Sequence, residues 1–142
     1  MAALAGGTAC TSSSQAAPTT APTVVVTSEA PAEVLTPLLE QALPNMAGKT
    51  FTSAIVDFPP GARAVPHRHG EAFVYAYVLE GSVRSTLDDN PVATYRAGEN
   101  WIEQPGAHHV LTENPSTTDP AKLLVVFVSN TGDSVKVDDG HQ

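Results

Sequence analysis

His67 and His69 stand one residue apart in "GARAVPHRHGEAFVYAYVLEG", and His108 and His109 adjoin in "EQPGAHHVL" further along the chain. The protein has five histidines, and these two short segments hold four of them. On an extended strand the side chains at i and i+2 project to the same side, about 7 Å apart along the chain, so two imidazoles can converge on one ion. Neutral nitrogen donors of this kind suit Fe, Mn, Ni, Cu or Zn. The expected cofactor is therefore a divalent transition metal.

The elements that must position these histidines read as strands. "TFTSAIVDF" is β-branched and aromatic, "PPGARAVP" is a loop, and "EAFVYAYVL" is apolar on both parities, which predicts a strand covered on both faces. "VRSTL" and "VATYRAG" flank a "DDNP" turn, and "NWIEQPG", "HHVLTEN" and "KLLVVFVSN" supply further strands. Short strands punctuated by Gly, Pro and Asn/Asp turns predict an all-β sandwich or barrel. "AEVLTPLLEQAL" has near-helical apolar spacing but carries Pro37, so it reads equally as a short helix or an extended arm.

Composition narrows the partners. Charged residues are only 15% and the formal net charge is −8, leaving no basic stripe to neutralise phosphates, so nucleic acid and anionic membrane surfaces are excluded as targets. A small molecule or another protein is the expected partner. No stretch reaches the roughly 18 consecutive apolar residues of a membrane span. The single Cys10 excludes an internal disulfide.

Residues 1–31 are dominated by Ala, Gly, Ser, Thr and Pro, a composition that cannot offset its ordering entropy and reads as a disordered leader or tether. "MAALAGGTAC" followed by "TSSSQAAPTTAPT" resembles the lipobox and tether of a bacterial lipoprotein, with Gly7 where leucine is usual and no basic n-region before it. That resemblance implies a lipid anchor at Cys10 and an extracytoplasmic location; without it the segment is a low-complexity leader on a cytoplasmic protein. The domain is placed at 32–132, with 133–142 a polar C-terminal tail.

The two histidine segments together resemble the paired motifs of the cupin superfamily, in particular small quercetin-dioxygenase-like cupins. Gly61, five residues, His67-Arg68-His69 and a closing Gly81 match the first motif. Gly98, "ENWIE", Gln104 in place of the usual proline, Gly106 and His109 match the second, with Asn114 one residue late. The resemblance implies a double-stranded β-helix (jelly-roll) barrel, usually a homodimer, with a metal held at one end by His67, His69 and His109. Its glutamate ligand falls here on Val74; Glu71 takes that role only if Gly70 bulges the strand. Three histidines alone would leave the ion its full charge, as in the thiol dioxygenases of the superfamily.

Around these ligands, Tyr75 and Tyr77 share the parity of His69 and are candidate catalytic residues for substrate contact or proton transfer. Glu103 and Trp101 share one face of a strand. If that face is inward, Glu103 is a candidate base or orients a histidine. His108 should face away from His109, Arg63 and Arg68 flank the first motif, and Trp101 and Phe127 read as core. The expected function is a metal-dependent enzyme acting on a small organic substrate, a dioxygenase or a lyase/isomerase. The alternatives are a non-catalytic barrel that binds or senses a sugar-like ligand, and an empty scaffold.

Overall fold

The structure, a computed structural model, describes residues 29–140. Cys10 and most of the proposed leader lie outside the described residues. Among the described residues ten strands follow in chain order: β1 (Val34–Ala42), β2 (Lys49–Phe58), β3 (His67–Arg68), β4 (Phe73–Glu80), β5 (Ser82–Leu87), β6 (Ala93–Arg96), β7 (Asn100–Glu103), β8 (His108–Glu113), β9 (Ala121–Asn130) and β10 (Val137–Asp138). They form two five-stranded antiparallel sheets, β1-β2-β9-β4-β7 and β10-β3-β8-β5-β6. This is the all-β, double-stranded β-helix architecture that the turn-punctuated strands and the paired motifs imply.

Alternation along the strands builds the core. Val74, Ala76 and Val78 of β4 and Leu123, Val125 and Phe127 of β9 face inward, against Val83 of β5 in the other sheet. The outer parity of β4 is half covered at Phe73, Tyr75 and Tyr77 and exposed at Leu79, so within one chain no second sheet covers that face.

β1 resolves the helix-or-arm ambiguity: the segment is extended and pairs with β2 at the edge of its sheet. Pro37 lies where the register shifts, a place that tolerates the loss of its N–H. Val34, Leu35, Leu38 and Leu39 remain exposed along this edge.

Two glycines shape turns between strands. At Gly81 φ is +69° and a Cβ would stand 2.4 Å from the Pro120 carbonyl oxygen, so only glycine fits the β4–β5 turn. At Gly70 φ is +57°, and its carbonyl accepts the Gly106 N–H at 2.7 Å, tying the turn after the first histidine pair to the turn before the second. The segment read as a polar tail contributes β10, which pairs with β3 and so reaches the histidines themselves.

Candidate metal centre

His67 lies on β3 and His109 on β8, and the register pairs them directly. His69 follows β3 at the start of the turn closed by Ala72 N–H to the His69 carbonyl. All three are buried, and one ring nitrogen from each lies within 4.8 Å of the other two. The i, i+2 spacing therefore does what the sequence promised, and strand pairing brings in the third imidazole.

Each ring is held from behind. His67 Nδ1 lies 2.7 Å from the Val65 carbonyl and His69 Nδ1 2.5 Å from the Val135 carbonyl. A carbonyl only accepts, so both Nδ1 atoms carry the proton. Burial lowers His67 to about 4, with the Val65 bond only partly opposing it; burial likewise lowers His69, against the pull of Glu103 and Val135. Both rings are therefore neutral near pH 7, with their lone pairs on Nε2. Those two Nε2 atoms face each other at 3.2 Å. Two lone pairs at that distance repel unless a cation lies between them, and backbone carbonyls gripping the far nitrogen are the usual support of metal-binding histidines. His109 Nε2 is held by the hydroxyls of Ser85 at 2.8 Å and Thr112 at 2.6 Å, which turns Nδ1 toward the cluster. The donor set and its buried lone pairs fit a transition-metal ion.

Glu103 completes the constellation from the other sheet. It is only 2% exposed, with Oε1 accepting the Trp101 indole N–H at 3.1 Å and lying 3.1 Å from His109 Nδ1, and Oε2 lying 3.4 Å from His69 Nε2. Burial works to raise its carboxyl, but the neighbouring His109 and His69 rings and the Trp101 N–H hold it below its ordinary value. The inward alternative for the Trp101–Glu103 face is thus the observed one.

Other expectations are corrected. Glu71 is exposed in the turn beyond Gly70 and stands outside the histidine cluster, because Gly70 forms a turn rather than a bulge within a continuing strand. The same turn resets side-chain parity, so Tyr75 and Tyr77 fall on the outer face of β4 while Ala76 lines the pocket. Arg63 pairs with Glu113 and Arg68 donates to the Gly106 carbonyl at 2.8 Å; both serve the fold. His108 turns away from His109 and meets Asp139 at 2.7 Å. Asn114, one residue late for its motif, is a buried staple, donating to the Phe58, Pro59 and Asp119 carbonyls and accepting the Ser116 N–H.

An open pocket leads to the histidines. Its walls are mostly apolar, with Phe58, Trp101, Leu123 and Phe127 prominent, and Phe127 stacks obliquely on His69 with ring centroids 5.2 Å apart. At its rim Lys136 is pinned between Glu33 and Asp138, 2.9 Å from each. Ser85, Thr112, Glu33 and Lys136 escaped the sequence reading. Ser85 alternates with buried Val83 on β5, a polar residue at an inward position, and that was the available signal.

Residues 54–127 match the cupin domain family. Among solved structures the chain is similar to an uncharacterized conserved protein with a double-stranded β-helix domain from Klebsiella pneumoniae, at 18% identity and a TM-score of 0.59, covering 72% of this chain and 81% of that one. It is also similar to oxalate oxidase in complex with the substrate analogue glycolate, at 24% identity and TM-score 0.61, covering 75% of this chain and 55% of that one. DMSP lyase DddQ from Ruegeria pomeroyi matches at 18% identity and TM-score 0.62, covering 76% and 52%. The chain thus spans about half the length of either enzyme, and these likenesses concern the fold. No curated protein matches it in sequence.

Proposed function

The chain belongs to the cupin domain family, and we propose that it is a metal-dependent enzyme acting on a small organic molecule, a dioxygenase or a lyase/isomerase. The observation that carries the reading is the pair of neutral Nε2 atoms of His67 and His69 facing each other at 3.2 Å in a buried site. His67, His69 and His109 would hold a divalent ion of the Fe, Mn, Ni, Cu or Zn group. When bound, it supplies a Lewis-acid or oxygen-activating centre.

The chain's own residues define what reaches that centre. Phe58, Trp101, Leu123 and Phe127 exclude water and grip an apolar body. Among the described residues, Lys136 is the cationic side chain on the lining, and it is already matched by Glu33 and Asp138, so the described lining offers no free positive charge to a second acidic group. The preferred substrate therefore has one polar end for the metal and an apolar remainder. A small dicarboxylate does not suit it.

A second reading, ligand binding without turnover, is favoured by one observation: Glu103, the buried acid of the pocket, is committed to the histidines rather than free to move a proton. The apolar walls argue against a sugar as that ligand. Screening metal-loaded protein against carboxylic acids and enols with apolar bodies separates the two. Metal-dependent product formation or oxygen uptake, absent in His67→Ala, is the expected result; saturable binding without chemical change would favour the second reading.

Two further proposals complete the picture. A homodimer across the exposed β1 edge is supported by Val34, Leu35, Leu38 and Leu39. Lipidation at Cys10, with an extracytoplasmic location, rests on the lipobox-like sequence and is tested by the intact mass of membrane-fraction protein.

A further inference from the structure

We infer that Glu103 is a fourth ligand of the metal, a carboxylate presented from β7 directly across from Val74 of β4; this rests on the histidine site proposed above. The contacts decide between a ligand and a residue that merely orients one. A carboxylate that orients a metal-binding histidine takes the N–H on the side of the ring away from the metal. His67 and His69 already give those N–H groups to the Val65 and Val135 carbonyls. Glu103 Oε2 instead lies 3.4 Å from Nε2 of His69, the nitrogen on the metal side, and has no hydrogen-bond partner. His109 Nδ1, 3.1 Å from Oε1, is likewise buried without a hydrogen bond.

Leaving a buried carboxylate oxygen against a nitrogen lone pair is costly, because neither group recovers the hydrogen bonds it gives up to water. One cation shared by Oε2 and the His69 ring turns that repulsive approach at His69 Nε2 into an attraction. Trp101 fixes the carboxylate for this, since its N–H occupies Oε1 and leaves Oε2 as the free donor. Val74 is 0% exposed and apolar, so the facing position on β4 supplies no competing donor.

The charge balance changes with it. Three imidazoles contribute none, whereas Glu103 cancels one of the two charges of a divalent ion. The remaining positions then favour a neutral or singly charged substrate group, in keeping with a described lining whose Lys136 is paired with Glu33 and Asp138.

The test is a crystal structure of the Zn(II)-loaded wild-type protein, paired with Zn(II) affinity and Co(II) absorption spectra of wild type and Glu103→Gln. A Glu103 oxygen about 2.0–2.2 Å from zinc, an affinity about 10–100-fold weaker in the isosteric variant and an altered Co(II) visible spectrum are expected. Zinc on the three histidines with both Glu103 oxygens beyond about 3 Å, outside any bonded distance, and an unchanged Co(II) spectrum would overturn the inference while leaving the histidine site intact. Zinc absent from the histidines would overturn both, and the zinc structure alone tells the two failures apart.

Discussion

Val74 of β4 and Glu103 of β7 are direct cross-strand partners, and both side chains are essentially buried on the inner face of the same sheet. Facing Cβ atoms in an antiparallel pair lie about 4.5–5.5 Å apart, so a carboxylate on either residue can serve one region of the interior. The position at which the cupin resemblance expects an acid is apolar here, and the acid stands opposite it.

That relationship predicts the outcome of an exchange. Val74→Glu/Glu103→Val should recover much of the metal affinity that Glu103→Val loses. Val74→Glu alone places two carboxylates together in the interior and should destabilise the apoprotein by about 3 kcal/mol. Thermal unfolding with and without Zn(II) reads both effects. An exchanged variant no better than Glu103→Val would show that the carboxylate acts only from β7.

Glu113 contributes to the acid limb of stability. Burial works to raise its carboxyl, but the Arg63 hydrogen bond and the charges of Arg63 and Arg84 hold it below its ordinary value. A carboxyl depressed by folding stabilises the protein above its unfolded value of 4.5, and that contribution is lost as pH falls through the folded value. Glu113→Gln should cost about 1 kcal/mol at neutral pH, because both arginines are partly solvated. Its urea midpoint should depend less steeply on pH below about 4.5 than that of wild type. Parallel acid limbs would contradict the assignment.

Asn114 should prove structural. Asn114→Ala removes a buried side chain bonded to three carbonyls and one N–H, and a loss of about 2–3 kcal/mol is expected by chemical denaturation. Metal stoichiometry at 20 °C should stay at the wild-type level. Loss of metal from a still-folded variant would mean that Asn114 reaches the site.

The β1 edge predicts association. Sedimentation should give a dimer, and Leu38→Lys/Leu39→Lys, charges on an exposed edge, should give a monomer with unchanged metal content. A wild-type monomer at micromolar concentration would remove the proposal.

What the sequence made legible follows from the range of each signal. His67 and His69 were readable because same-face spacing on a strand is local, and His109 because its turn carries its own glycine and proline. Tyr75 and Tyr77 were misplaced because parity was carried across Gly70, where the backbone turns and the count begins again. Glu103 was legible as sharing a face with Trp101, but whether that face points inward depends on pairing with β4, a long-range register. Val135 and Lys136 were invisible, since a carbonyl grip on His69 and a rim ion pair depend on where the last residues cross β3, not on their own composition.

The most direct measurement is the metal content, by elemental mass spectrometry, of untagged protein purified without chelator, beside the His67→Ala/His109→Ala variant. Close to one transition-metal ion per folded chain, lost in a variant that keeps its strand circular dichroism, is the predicted result. Folded wild-type protein that takes up no metal even after anaerobic reconstitution would contradict the account at its centre.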